Sequence, residues 1–211
     1  MSATVVTISA SFGAGGSIVG PALAERLGLP LIDRAIPAAV AHSLAVPLNR
    51  ALAHDERSQS TIGRILAKWA TAAIPYGAGP LVTADAVEEP ELFQSRTEEF
   101  IRGVAATTGG VIIGRAAAIV LADEPSAFHV RLDGPRAARL KRAVEAEGVE
   151  AATAESRLDE SDRAREAYVR HFYRADARDA RWYHLVIDST VVPIGVCTEL
   201  ILQAVAARRA E

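Results

Sequence analysis

The stretch TISASFGAGGSIVG, residues 7–20, sets how the rest of the chain is read. An apolar run leads into a turn containing Gly13, Gly15 and Gly16, and a helical pattern follows. Glycine allows the left-handed backbone that a tight turn needs. Such a turn closes backbone N–H groups around an anion, and the helix behind it adds the positive end of its dipole. Against the phosphate-loop pattern G-x-x-x-x-G-K-[ST], Ala10 takes the first glycine position, Gly15 the second, and Ser17 that of the metal-binding hydroxyl. Gly16 stands where the pattern has lysine. The reading is a phosphate cradle at Gly13, Ala14, Gly15, Gly16 and Ser17 that lacks its usual cation. The alternative is a turn chosen for packing alone. No complete G-x-G-x-x-G is present, which disfavours a dinucleotide fold.

Outward from this stretch, five compact apolar runs read as strands: residues 5–9, 29–32, 111–113, 127–132 and 184–187. They are continuous rather than alternating, as in strands covered on both faces of a parallel sheet. Helical patterns lie between them, at 17–27 before Gly28, at 135–147 before Gly148, at 153–174, and at about 193–208. In the third, Leu158, Arg165, Val169 and Phe172 fall roughly on one side. Strands alternating with helices predict an α/β fold with a doubly wound, five-stranded parallel sheet. The span 38–107 is too long for one crossover. It reads as a helical insertion, with helices at 48–73 and 92–106 around a loop at 75–90 rich in proline and glycine. We therefore expect one domain over residues 1–211, with that insertion and a lid-like helical segment at 150–182.

Composition narrows the function classes. The net charge of -3 gives no general pull toward nucleic acid or an anionic membrane. Residues 131–181 hold 12 Lys and Arg against 11 Asp and Glu, so they form no simple basic patch. The only cysteine is Cys197, so no intrachain disulfide forms. No apolar stretch approaches the roughly 18 residues of a membrane span. No secretory leader is evident, and the expected location is the cytoplasm. The five histidines lack metal-ligand spacing, and no G-x-S-x-G elbow is present. Of 23 basic residues only Lys68 and Lys141 are lysines. Arginine is the better fork for phosphate oxygens, although a GC-rich genome would produce the same bias.

Three further sites follow the strands. Asp33 and Arg34 close the second strand, on the carboxyl edge where ligands of open α/β sheets bind. They are placed to meet an acceptor's base, sugar or phosphate, unless Asp33 only caps the next helix. Gly114 and Arg115 follow the third strand and bring a guanidinium to the same edge, suited to a bidentate phosphate contact. In the long helix, Asp162 and Arg165 share a face while Arg163 points elsewhere, so the two arginines address different groups. The plain reading of that run is a solvated face with internal ion pairs.

Taken together and in order, these pieces resemble the cytidylate kinase-like family of nucleoside monophosphate kinases. The matching stretches are ISASFGAGGSIVGPALAERLGLPLIDR (8–34), VIIGRAAAIVLADEPSAFHVRLDGPRAARL (111–140) and DRAREAYVRHFYRADARDARWYHLVIDST (162–190). The resemblance implies a P-loop kinase core and ATP-dependent phosphoryl transfer with Mg²⁺ to a nucleoside monophosphate, CMP or dCMP first. It implies donor contacts at Gly13, Ala14, Gly15, Gly16 and Ser17, with Ser17 also on the metal. It implies acceptor contacts at Asp33, Arg115, Asp162 and Arg165 and a phosphoryl-transfer contact at Arg163; by their placement Arg34 is a further candidate for the acceptor, and Arg165 and Arg115 for phosphoryl transfer. Gly16 departs from the family's lysine, and Arg34-Ala35-Ile36 departs from the small hydroxyl or glycine stretch after the acid. Two alternatives follow: a kinase for another small-molecule acceptor, and a non-catalytic nucleotide-binding protein. Partners are small nucleotides, not nucleic acid or membrane; the sequence leaves the oligomeric state open.

Overall fold

A computed structural model describes residues 4–33, 90–147 and 150–209. Its centre is β1 (Val5–Ala10), flanked by β3 (Gly110–Ile113) on one side and β4 (Ala127–Asp133) on the other. The short β2 (Leu31–Asp33) pairs outside β3, and β5 (Leu185–Asp188) pairs outside β4. All neighbours run parallel, in the order β2-β3-β1-β4-β5. This is the doubly wound, five-stranded parallel α/β sheet expected. Every carboxyl end therefore opens on one edge, and β1 delivers the glycine turn to the middle of it.

The apolar runs are continuous because the sheet is covered twice. Val6, Ile8, Val130 and Leu132 pack with Val19 and Leu23 of α1 (Gly16–Leu27) and with Cys197, Ile201 and Val205 of the last helix, α6 (Ile194–Arg209). Val5, Ile112 and Ala127 face the other way, against Ile101 of α2 (Pro90–Ala106) and Val120 of α3 (Ala117–Val120). Successive residues of a strand point to opposite faces, so neither face leaves a polar stripe. On the second face Thr7, His129 and Arg131 are buried as well. Buried polar groups need partners, and here each has one. His129 Nε2 meets the Leu121 carbonyl at 3.1 Å, so that nitrogen carries the proton; Nδ1 then accepts from the Thr7 hydroxyl at 2.8 Å.

After β4 come α4 (Arg136–Glu147) and the long α5 (Ala151–Tyr173). Gly28 ends α1 in the left-handed conformation, with its N–H returned to the helix. The segment 92–106 is inside α2, which Pro90, expected to close the loop at 75–90, opens; the helix expected at 48–73 and the rest of that loop lie outside the described residues. The short α3 had no counterpart among the expected elements. A single turn of helix cannot show a period, and its AAIV sequence is as apolar as a strand.

Candidate functional site

The glycine turn is built as a cradle. Gly13 (φ 76°) and Gly15 (φ 81°) are left-handed, which other residues adopt only under strain. A side chain on Gly13 would strike the backbone carbonyl of Arg139, and one on Gly15 the side chain of Ile194. The loop's carbonyls are tied outward. Arg139 Nη1 donates to Phe12 O at 2.8 Å, and Ser189 Oγ to Ala14 O at 2.8 Å. With those oxygens turned away, backbone N–H groups are left for an anion at the head of α1. Ser17, in the first turn of α1, is exposed there. Residue 16 carries no side chain for a local reason: a Cβ on Gly16 would lie 2.5 Å from Ala10 Cβ.

Arginines ring this cradle. Arg131, 4 % exposed, donates to Asp133 Oδ2 (2.6 Å) and to Ala177 O (2.8 Å), with Ser11 Oγ at 3.3 Å. Burial opposes the charge of Asp133, but Arg131 outweighs it and holds the carboxyl below its usual range. Arg139 is spread over Gly134 O (2.9 Å), Phe12 O and Asp162 Oδ2 (2.8 Å). Arg142 Nη2 donates to Ser189 O. Arg165 Nη1 reaches Asp162 Oδ1 at 3.3 Å; burial, with Arg131 and Arg139 near it, lowers its pKa. Among the described residues, three guanidiniums, those of Arg131, Arg139 and Arg165, thus share two carboxylates, Asp133 and Asp162, with Arg142 beside them on neither. That balance suits an anionic ligand.

Asp162 and Arg165 do share a face, as their spacing requires, but it is turned to the glycine loop: Phe12 N–H donates to Asp162 Oδ1 at 3.2 Å. Arg163 stands apart, three-quarters exposed and 3.8 Å from Asp159. Arg115 lines a cleft with Ser9, Arg165, Val169 and Tyr183, so it and Arg165 meet across one space. The turn that delivers it is strained. Gly114, Arg115 and Ala116 all have positive φ (74°, 56° and 53°), and two of them bear side chains. Such conformations cost about 1–3 kcal/mol each and cluster at functional sites. Asp33 is the last residue of β2, in register with Ile113, and so lies on the same edge as Arg115. Arg34 lies outside the described residues.

Sequence reasoning missed Arg131, Asp133, Arg139 and Arg142. A signal existed. Arg139 and Arg142 are three apart on the helix that leaves β4, and so share the face turned to the loop.

A family model described as the cytidylate kinase-like family matches residues 5–191. The chain belongs to this family. Among solved structures, the cytidylate kinase-like chain resembles an uncharacterized protein from Eubacterium ventriosum ATCC 27560, at 22% identity and TM-score 0.64 over 96% of this chain and 98% of that one. It is also similar to a shikimate kinase from Acinetobacter baumannii in complex with shikimate (16% identity, TM-score 0.49, 99% of this chain and 96% of that one). A shikimate kinase from Bacteroides thetaiotaomicron gives 13% identity and a TM-score of 0.47, over 96% of this chain and 98% of that one. No curated protein matches the sequence. Among the described residues no helix is long and apolar enough to cross a membrane, and no group of three or more His, Cys, Asp or Glu residues is placed to hold a metal ion.

Proposed function

We propose that this protein transfers a phosphoryl group from ATP to a nucleoside monophosphate, with CMP or dCMP as the first acceptors to test. One observation carries the reading: a left-handed glycine loop at the head of α1, ringed by more guanidinium than carboxylate. Phosphoryl transfer asks the protein mainly for positioning and charge, and such a ring supplies both. Residues 13–17 would hold the donor phosphates. The Ser17 hydroxyl is the candidate ligand for Mg²⁺, which neutralises charge on the transferring group when bound. Mg²⁺ keeps several waters and takes much of its shell from substrate phosphates, so a hydroxyl at the loop needs no all-protein cage around it. Arg115 and Arg165, which line the same cleft, would hold the acceptor phosphate, with Asp33, Arg34 and Asp162 toward the rest of the acceptor. Arg163 is exposed and would act only if a substrate drew it inward. The chain would form one domain over residues 1–211, with residues 38–107 as the acceptor-binding insertion and 150–182 as the lid.

A second reading is favoured by Gly16 and Ala10 together. A loop that excludes the lysine side chain fits a protein that binds a nucleotide without turning it over. Incubation with Mg-ATP and a panel of monophosphates separates the two. Production of ADP and a nucleoside diphosphate with CMP or dCMP supports the kinase. ADP binding with no turnover of any acceptor supports the second reading.

A further inference from the structure

A lysine at position 16 is excluded as long as Ala10 keeps its methyl, since the two Cβ atoms would lie 2.5 Å apart. The charge that a phosphate loop needs must then come from another element. Of the guanidiniums around the loop, Arg131 is committed to Asp133 and Ala177 O, Arg139 to Gly134 O, Phe12 O and Asp162, and Arg165 to Asp162. Arg142 differs. Its Nη2 donates to Ser189 O, but its Nη1 is buried and meets no hydrogen-bond acceptor among the described residues. A buried charged donor without a partner is costly and rare, and it calls for a missing acceptor. Nη1 also lies 3.8 Å from the position a Gly15 Cβ would occupy, beside the residue that opens α1. Its charge reaches the neighbourhood: burial raises the Cys197 thiol, and Arg142 counters that rise.

We propose that Arg142 takes over the duty of the absent loop lysine, placing Nη1 on the phosphate oxygens of a nucleotide held at residues 13–17. This rests on the proposed nucleotide binding at that loop. The arrangement moves the cation from the loop to α4, where Arg139 three residues earlier holds the loop's Phe12 carbonyl. One helix then both shapes the cradle and charges it.

The test is calorimetric, on the full chain, with ADP, inorganic pyrophosphate and adenosine as probes. Arg142→Ala should weaken ADP and pyrophosphate roughly 10- to 100-fold, the range of a lost charged hydrogen bond, and leave adenosine nearly unchanged. Arg142→Lys should recover most of the loss. The pair Ala10→Gly and Gly16→Lys, added to Arg142→Ala, removes the Cβ clash, restores a loop lysine and should restore pyrophosphate binding. Thermal unfolding without ligand checks that each variant is folded. Unchanged ADP affinity in a folded Arg142→Ala would overturn the inference while leaving nucleotide binding intact. So would an equal loss for adenosine and ADP, which would place Arg142 on the base. A wild-type chain that binds neither ADP nor pyrophosphate would overturn both readings.

Discussion

His129 shows what a single residue costs when a sheet is covered on both faces. It sits on β4, next to the central strand, 2 % exposed, with its ring stacked on His184 at 4.8 Å between centroids. Burial, reinforced by His184, pushes its pKa from 6.5 down to about 4. Its two hydrogen bonds demand the neutral ring, since Thr7 donates to one nitrogen and the other donates to Leu121 O. The sign follows. The unfolded chain takes up the proton near pH 6.5 and the folded chain only near 4, so stability is full above 6.5 and falls as pH drops between these values. The loss reaches up to about 3 kcal/mol at pH 4. Urea titrations across this range should show that slope, and His129→Gln should flatten most of it. His184, lowered by burial and by Arg208, accounts for a smaller remainder. An unchanged slope in the variant would assign the acid sensitivity elsewhere.

At the scale of elements, the tie between α5 and the glycine loop rests on one carboxylate. Asp162 accepts from Phe12 N–H and pairs with both Arg139 and Arg165. Asp162→Asn leaves those arginines sharing a neutral amide. The unliganded protein should lose about 2 kcal/mol, less than for a fully buried pair because Asp162 is one-fifth exposed. Pyrophosphate should narrow the gap between variant and wild type, since an anion in the cradle gives the arginines a new partner. Denaturant unfolding with and without pyrophosphate measures both, and an unaffected midpoint without ligand would show that the tie contributes nothing. The strands and most helices were legible because apolar runs and glycine stops report burial and chain reversal directly. Leu158 and Val169 are buried on one face of α5, as their spacing indicates. What was illegible came from contacts across the chain. The spacing of Arg139 and Arg142 marks a shared helix face, but nothing local names residue 12 as what Arg139 braces, or marks the left-handed run at Gly114, Arg115 and Ala116. The surrounding structure imposes those conformations against local preference.

For the whole molecule, the topology decides which residues can meet. Parallel strands place every carboxyl end on one edge, so the loop after β1, the strained turn after β3 and the helix after β4 converge although 100 or more residues separate the first from the last two. A protein that only holds ATP needs the first and third of these. A kinase needs the second as well, because acceptor and donor must lie in line with water excluded. Arg115 is therefore the residue on which the two readings diverge. If it serves an acceptor phosphate, CMP or dCMP at about 100 times its dissociation constant should stabilise the fold by about 2.7 kcal/mol. For a chain of this size that is a rise of roughly 5–10 °C in Tm. Arg115→Ala should abolish the rise with CMP and keep the rise with ADP, whose contacts lie at residues 13–17. The strained turn gives the same experiment a control, because Arg115→Gly relieves the backbone at φ 56° and should raise the unliganded Tm while losing the CMP response equally. A thermal response to ADP alone, flat for every monophosphate at millimolar concentration, would move the reading to a nucleotide-binding protein without turnover.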